Sequence, residues 1–290
     1  MPYGVAYATG KPDTELAAQI VETAWRHGIC EFDTAQAYGD SETVLGKALA
    51  ELGIAEQARL ITKLDPAIDH NDGNAVRESV LASLRRLGVP KLHGLMVHSE
   101  NHLESLEARL GRTLRTLIDD GIVENAGISL YSPQKALKAL SLDVVSMIQV
   151  PANAFDRRMR DAGVFSMAGD AGKQVYLRSV FLQGVLLMND KELPAKVGFA
   201  RDTLKMFRSI ANEYDVSPMR LALGYVRETC DGARVVFGAE RPEQVQENCR
   251  SWGEGIERPL MERLEEVFAN VDGRIIDPRS WGKYEGEAER

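Results

Sequence analysis

The sequence predicts a single α/β domain in which parallel strands alternate with helices and close into a (β/α)₈ barrel. The chain has 290 residues, close to the roughly 250 residues typical of such a barrel. Apolar runs of strand length alternate with segments of helical periodicity. No polar linker divides the chain, so we expect one domain over residues 1–290, with a C-terminal loop or tail from about residue 273.

The alternation begins with an amphipathic helix. Apolar residues at helical spacing over residues 16–25 stop at Gly28, a residue typical of a helix end. Seven strand-like runs follow, namely CEFDTA, ARLITK, HGLMVH, NAGISL, VVSMIQV, QVYLRSV and ARVVF. Ser-Pro pairs at residues 132–133 and 217–218 indicate helix starts, and Gly88 indicates another helix end. Apolar residues at helical spacing over residues 103–118 predict one helix. A doubly wound sheet is the alternative, but no GxGxxG motif follows any of the runs.

The beginning of the chain offers little sequence for a first strand. A barrel of eight strands needs one strand before the first helix, and only Gly4 to Ala8 is available. That segment is short and bounded by glycine. We therefore expect either a minimal first strand or a chain that begins downstream of one.

The composition is that of a globular protein and argues against several functions. Hydrophobic residues make up 44% and charged residues 27% of the chain, which is near the globular average. The net charge of −8 argues against a nucleic-acid partner. No secretory signal pattern or membrane-spanning apolar run occurs. Three widely spaced cysteines, Cys30, Cys230 and Cys249, indicate neither a zinc site nor a disulfide framework, so we expect no metal and a cytoplasmic protein.

Ionisable residues end three successive strand-like runs. They are Asp33, Lys63 and His98, and Tyr38 lies in the loop after Asp33. Because the C-terminal ends of barrel strands meet at one face, these side chains are candidates for an active site. Each alone would more often be structural, as a helix cap, a solvated loop end, a core imidazole or a packing aromatic.

Together the four residues suit proton transfer. Tyrosine ordinarily titrates near pH 10, so it is a poor acid at neutral pH unless a nearby cation favours the phenolate. Lys63 could supply the cation, and Asp33 could keep that lysine charged by pairing with it. His98 could orient a carbonyl oxygen.

The run FDTAQAYGDSETVLGKAL resembles the characteristic motif of the aldo-keto reductase family, whose catalytic tetrad is Asp, Tyr, Lys and His. The tetrad corresponds residue by residue to Asp33, Tyr38, Lys63 and His98. The resemblance extends from Tyr3 to the final helix. It implies a TIM-type barrel that reduces an aldehyde or ketone with NAD(P)H, with Tyr38 as general acid assisted by the other three residues.

The resemblance also implies a site for the nicotinamide end of the cofactor. Ser129 and Gln149 match residues that hold the carboxamide, whereas Leu130 replaces the family's usual asparagine. Arg178 stands where many relatives have an aromatic residue stacked on the nicotinamide ring, and a guanidinium can also stack on a flat ring. Pairing of Arg178 with a carboxylate is the alternative.

The run FGAERPEQVQEN resembles the family's adenosine-phosphate site at a helix N-terminus. The matching residues are Gly238, Arg241, Gln244 and Asn248, with Arg241 placed to meet a 2′-phosphate. This implies NADP(H), and NAD(H) stays open because the Lys-Ser form of the motif is absent. A solvated helix start is the structural alternative for Arg241 and Gln244.

Two other functions stay open. One is a catalytically weak, NADPH-binding regulatory barrel, and the other is an aldolase that forms a Schiff base on Lys63. The expected partner is a small-molecule carbonyl compound, and no heptad or unpaired apolar stripe predicts an oligomeric state. Trp281 in the C-terminal tail either shapes the pocket or packs against the core.

Overall fold

The computed structural model of the protein describes residues 14–284. The strands are β1 (Glu31–Asp33), β2 (Arg59–Leu64), β3 (Leu92–Val97), β4 (Val123–Ser129), β5 (Met147–Pro151), β6 (Gln174–Arg178) and β7 (Arg234–Val235). The helices are α1 (Thr14–Arg26), α2 (Ser41–Glu51), α3 (Gly73–Leu87), α4 (Leu103–Glu107), α5 (Arg109–Asp119), α6 (Pro133–Leu140), α7 (Arg158–Asp161), α8 (Val164–Asp170), α9 (Arg201–Glu213), α10 (Pro218–Thr229), α11 (Pro242–Glu254), α12 (Arg258–Val267) and α13 (Gly273–Ile276). The predicted strand Gly4–Ala8 lies outside the described residues.

The seven strands form one sheet whose spatial order is the same as their order in the chain. Every neighbouring pair is parallel. Parallel neighbours must be joined by a crossover, and at least one helix lies between each strand and the next. The alternation predicted from the seven strand-like runs is therefore confirmed.

Contacts between side chains on distant strands show that the sheet curls strongly. Gln149 on β5 donates from Nε2 to Oδ1 of Asp33 on β1 at 3.1 Å. Nη1 of Arg234 on β7 lies 3.0 Å from Oε1 of Glu31 on β1. Adjacent strands are about 4.8 Å apart, so a flat sheet would separate β1 from β5 by roughly 19 Å. The described strands thus have the curvature of a (β/α)₈ barrel, which confirms the predicted fold class.

The interior of the curled sheet is packed rather than open. Ile61, Met96, Met147 and Tyr176 form an apolar cluster inside the sheet, separate from the larger core between sheet and helices. The Tyr176 hydroxyl lies 3.0 Å from Oε2 of Glu31 on β1 and closes the N-terminal end of the interior with a polar contact. The candidate active site lies at the opposite end of the interior, where the strands finish.

The signals for helix ends predicted several boundaries correctly. Gly28 and Gly88 follow α1 and α3 with φ values of +81° and +69°, a backbone region that glycine adopts without strain. Ser132 and Ser217 cap α6 and α10, since their hydroxyls accept hydrogen bonds from backbone N–H groups of the first turn.

The apolar stripe over residues 103–118 belongs to two helices rather than one. The chain turns at Ala108, whose φ and ψ are −112° and −109°. Both helices bury their leucines, including Leu106 and Leu110, in the same core, so the periodicity continues across the turn. Helix α9 lies outside the predicted elements, although its apolar residues also recur at helical spacing.

The C-terminal segment is folded as far as the structure describes it. Helix α13 is followed by 3₁₀ turns over Pro278–Tyr284. Trp281 is 2% exposed, and its indole Nε1 donates to the carbonyl of Arg274 at 3.0 Å. Of the two roles considered for Trp281, the structure shows packing. No helix within residues 14–284 has the length and hydropathy that a membrane span requires.

We expect Gly127→Ala to destabilise the barrel. A Cβ atom at Gly127 would lie 2.2 Å from the carbonyl oxygen of Met147, a backbone atom of the paired strand. Overpacking of this kind costs about 1–3 kcal/mol, measurable as the free energy of unfolding in urea.

Gly253→Ala is the matched control, because no atom lies within 4 Å of a Cβ at that position of α11. Alanine is the better helix former, so stability should stay constant or rise by up to about 1 kcal/mol. Equal losses in the two variants would contradict the close approach of β4 and β5.

Candidate active site

A buried ion pair lies where β1 and β2 end. The Lys63 ammonium, whose side chain is 1% exposed, pairs with Oδ2 of Asp33 and donates to the carbonyl of Thr34 at 3.1 Å. The other carboxylate oxygen of Asp33 accepts from Gln149. Burial lowers the pKa of Lys63, while the charge of Asp33 and its hydrogen bond act in the opposite direction. The pair and its hydrogen bonds compensate for the burial of two charges.

Tyr38 and His98 lie against this ion pair. The turn after β1 places the Tyr38 ring so that its centroid is 5.5 Å from Nζ of Lys63. His98 directly follows β3, and its ring centroid lies 5.4 Å from that of Tyr38 at an interplanar angle of 77°. The structure therefore brings Asp33, Tyr38, Lys63 and His98 together at the C-terminal end of the strands.

Tyr38 is protonated at neutral pH. Burial, followed by the negative charge of Asp33, raises the pKa of its hydroxyl above the usual value, and the positive charge of Arg178 acts against this shift. A hydroxyl in this state can donate its proton to an oxyanion that forms beside it.

His98 is neutral at the same pH. Burial, and then the positive charge of Lys63, lowers the pKa of the imidazole to about 4. Its Nδ1 atom is buried and has no hydrogen-bond partner among the residues described. Buried polar atoms are normally paired, so a polar atom of a bound molecule would satisfy this nitrogen.

The two residues matched to the carboxamide site are neighbours. Ser129 at the end of β4 pairs in register with Gln149 on β5, and they are 6% and 3% exposed. One N–H of Gln149 is already used on Asp33, so this amide also contributes to the arrangement of the tetrad. Leu130 is fully buried, and its carbonyl accepts from Nη2 of Arg178 at 3.0 Å.

Arg178 lies at the end of β6 and stacks on an aromatic ring of this chain. Its guanidinium carbon is 3.7 Å from the ring centroid of Tyr131, and that of Arg279 is 3.5 Å from the same centroid. Two guanidinium groups at these distances cannot share one face, so Tyr131 lies between them. No described carboxylate forms an ion pair with Arg178. Stacking of Arg178 on a nicotinamide ring stays a prediction.

Tyr131 and Arg279 were absent from the predicted site. Tyr131 follows the run GISL directly, so its position beside the carboxamide residues was a usable signal. Arg279 lies in the 3₁₀ turns of the C-terminal segment and reaches the site only because that segment folds back.

The residues matched to the adenosine-phosphate site surround the start of α11. Arg241 is the exposed residue before the helix, and Gly238 is exposed in the loop that leads to it. Oε1 of Gln244 accepts from the backbone N–H of Glu240 at 2.7 Å and so braces this loop. Asn248 is 3% exposed, and its Oδ1 atom has no hydrogen-bond partner among the described residues.

A cavity of about 940 Å³ borders residues of both regions and also Glu31 and Tyr176 at the N-terminal end of the barrel. Asp33 and Tyr38 line one part of it, and Ala239 and Val245, beside the start of α11, line another. Ligand sites are usually clefts of about 300–1,000 Å³ with a few polar groups among apolar ones. Within residues 14–284 there is no group of three or more side chains suited to hold a metal ion.

A parallel barrel with a tyrosine beside a buried lysine–aspartate pair at the ends of its strands has the features of nicotinamide-dependent barrel oxidoreductases. Residues 3–268 match the model of the Aldo/keto reductase family. The chain belongs to this family, whose members reduce carbonyl groups of small molecules with NAD(P)H.

Two curated relatives resemble the chain over most of its length. The aldo-keto reductase YhdN of Bacillus subtilis is 26% identical over 264 residues, which cover 82% of this chain and 78% of the relative. The NADH-specific methylglyoxal reductase of Escherichia coli is 26% identical over 273 residues, covering 82% and 83%. The holo form of aldo-keto reductase AKR11C1 from Bacillus halodurans has the same fold, with a TM-score of 0.77, 22% identity and 92% coverage of both chains.

We expect His98 to make the protein less stable in acid. Its folded pKa of about 4 lies below the ordinary value of 6.5, so between these pH values the unfolded chain binds more protons at this position. The free energy of unfolding should therefore fall as pH decreases through this window.

Urea unfolding of the wild type and of His98→Asn at several pH values measures this effect. The wild type should lose more stability than the variant between pH 6.5 and 4, the two values that bound the window. Above about pH 8, where the imidazole is neutral in both states, the difference between the two proteins should be constant. If the free energy of unfolding fell equally in both proteins over this acid range, His98 would not be a buried, neutral imidazole in the folded state.

Proposed function

We propose that this protein reduces an aldehyde or ketone to an alcohol with NADPH, and that Tyr38 is the general acid. The observation that carries the proposal is the position of the protonated Tyr38. Its ring centroid lies 5.5 Å from Nζ of the buried Lys63 and 5.4 Å from the ring centroid of the neutral His98. The bound cofactor supplies the hydride that reduces the carbonyl carbon.

Each tetrad residue has a distinct part in the proton transfer. Tyr38 gives its proton to the carbonyl oxygen as negative charge develops there. The ammonium of Lys63 stabilises the phenolate that remains, and Asp33 keeps the lysine charged and fixes its position through their ion pair. His98 donates a hydrogen bond to the same carbonyl oxygen from its neutral ring.

The residues around the cavity fit the cofactor. We assign Ser129, Gln149 and Arg178 to the nicotinamide end. Gly238, Arg241, Gln244 and Asn248 are assigned to the adenosine and phosphate end. The buried Oδ1 atom of Asn248 supports this assignment, because a base that donates hydrogen bonds would pair with it. Free backbone N–H groups at the start of α11 suit a phosphate.

The same observations favour a reductase over a Schiff-base aldolase. A lysine must be a neutral amine to attack a carbonyl carbon. The ammonium of Lys63 is paired with Asp33 and bonded to the Thr34 carbonyl, and both contacts favour its charged form. A cytoplasmic location is part of our proposal and rests on three cysteines that are all free thiols.

Tyr38→Phe should abolish turnover and spare NADPH binding. The variant removes only the hydroxyl, and loss of a general acid lowers kcat by about 10²–10⁴-fold. Absorbance at 340 nm with an aromatic aldehyde measures turnover, and NADPH fluorescence titration measures binding. A variant that keeps its turnover would exclude Tyr38 as the acid, and trapping of substrate on Lys63 by borohydride would favour the aldolase.

Arg241→Gln tests the preference between cofactors. We expect NADPH affinity to fall by about 10- to 100-fold, because a charge-assisted hydrogen bond to the 2′-phosphate is lost, while NADH affinity changes little. Arg250→Gln is the matched control, since Arg250 is also exposed and lies on α11. Equal loss for both cofactors, or the same loss in the control, would contradict the role of Arg241.

A further inference from the structure

We propose that Gln36 is a positioning residue, whose side chain holds the turn that carries Tyr38 at the place beside Lys63 from which the proton is given. The inference rests on the proposed reductase function and adds a residue on which the general acid depends. Gln36 lies in the chain between Asp33 and Tyr38 and outside the tetrad.

The turn that carries Tyr38 is attached to the barrel at few points. Ala37 and Gly39, on either side of Tyr38, are exposed, and Gly39 has a φ of +63°. The backbone N–H of Tyr38 donates to the carbonyl of Ala35 at 3.0 Å, which closes the turn on itself. That bond does not join the turn to β2, the strand of Lys63. The position of the phenol relative to the ammonium therefore depends on what attaches the turn to its neighbours.

Gln36 makes this attachment with its backbone and its side chain. Its backbone N–H donates to the carbonyl of Lys63 at 3.0 Å. Its Oε1 atom accepts from the backbone N–H of Asp65, directly after β2, at 2.8 Å. Its Nε2 atom donates to Oγ of Ser83 at 3.0 Å and to the carbonyl of Ser79 at 3.2 Å, both on α3. One side chain thus joins the turn to the strand of the lysine and to the helix behind it.

The partners of Gln36 require an amide. The backbone N–H of Asp65 can only donate, and the backbone carbonyl of Ser79 can only accept. A side chain that satisfies both needs an acceptor and a donor at its end. An ionised glutamate has no donor, and methionine has no donor and only a weakly accepting sulfur. The hydrogen bonds therefore depend on glutamine at this position.

The anchor on α3 is itself fixed. Oγ of Ser83, a residue with 0% exposure, also accepts from Nη2 of Arg86 at 3.1 Å. Arg86 pairs at 2.6 Å with the buried carboxylate of Glu42 on α2, which accepts from Oγ1 of Thr62 on β2 at 2.6 Å. These contacts join α2, α3 and β2 behind the turn. Gln36 therefore attaches the turn to a rigid part of the barrel, which is what precise placement of a reacting group requires.

Small displacements of Tyr38 matter for its chemistry. The ammonium of Lys63 lies 5.5 Å from the centroid of the ring, and its effect on the phenol weakens with distance. A shift of about 1 Å in a reacting group can lower the rate by about 100-fold. Without the bonds of Gln36 the turn is less restrained, so the phenol spends less time in the position from which it gives its proton. The loss falls on kcat rather than on binding of the aldehyde.

Gln36→Met tests this inference, because methionine keeps the length of the side chain and removes the amide. We expect kcat for benzaldehyde with NADPH to fall by about 10- to 100-fold, while the KM for the aldehyde and the Kd for NADPH change by less than about threefold. Gln57→Met is the matched control, since Gln57 is exposed in the turn before β2. The control should change kcat by less than about twofold. An unchanged kcat in Gln36→Met would overturn the inference.

A double-mutant cycle with Tyr38→Phe separates positioning from general damage to the fold. Rates are measured in single turnovers with enzyme in excess, so that slow reactions are observed. If Gln36 acts through Tyr38, Gln36→Met has no further effect where the hydroxyl is already absent. The same loss in both backgrounds would overturn the inference, because a residue with a purely structural role acts regardless of the proton donor.

Hydrogen exchange measured by mass spectrometry examines the turn without turnover. We expect the amides of residues 34–40 to exchange about 10-fold faster in Gln36→Met than in the wild type, whereas those of α3 keep their rates. Unchanged exchange in the turn would overturn the inference. Faster exchange along the whole chain would also overturn it, since the variant would then be destabilised as a whole.

These measurements also separate this inference from the reductase proposal. If the wild type does not reduce benzaldehyde, the reductase proposal fails for this aldehyde, and hydrogen exchange still decides whether Gln36 holds the turn. If the wild type reduces it and Gln36→Met does so at the same rate, the reductase proposal stands and the positioning role is refuted.

Discussion

The buried ion pair between Lys63 and Asp33 is the interaction on which the rest of the site depends. An ammonium with 1% exposure would be unstable alone, and loss of one partner from such a pair typically costs about 3–5 kcal/mol because a buried charge is left over. The pair joins β1 to β2, and the hydrogen bond from Gln149 adds β5. The charge of the lysine then helps to keep His98 neutral and lies close to the tyrosine ring. This ion pair and its hydrogen bond therefore join distant strands of the barrel, and the charge of the lysine also affects the protonation state of His98.

Ion pairs lie at both ends of the barrel interior. At the N-terminal end Glu31 pairs with Arg59 and Arg234, and where the strands finish Lys63 pairs with Asp33. The chain as a whole has a net charge of −8, so these pairs are a local arrangement and not a consequence of overall charge.

Much of the fold and the tetrad could be predicted because they depend on local patterns. Seven apolar runs predicted seven strands, and strand ends predicted Asp33, Lys63 and His98 as neighbours, since parallel strands finish at one face. Local periodicity predicted one helix over residues 103–118, but two helices pack against the same core on either side of the turn at Ala108. The predicted site was incomplete because tertiary folding also brings in residues that no motif contains. Arg279 is distant in sequence from every motif and joins Tyr131 only through the folding of the C-terminal segment.

The sequence by itself determined the class of fold and predicted that four ionisable residues lie together at strand ends, because both are encoded by residue type at a short spacing. The tertiary structure decided which charges are paired. Asp33 has both Lys63 and Gln149 as partners, Arg279 has Asp277, and Arg178 has neutral partners among the residues that the structure describes. Pairing depends on distances between side chains that are far apart in the chain, and electrostatic energy changes steeply with distance and burial. The sequence lists the charges, and only the folded chain brings them within reach of one another.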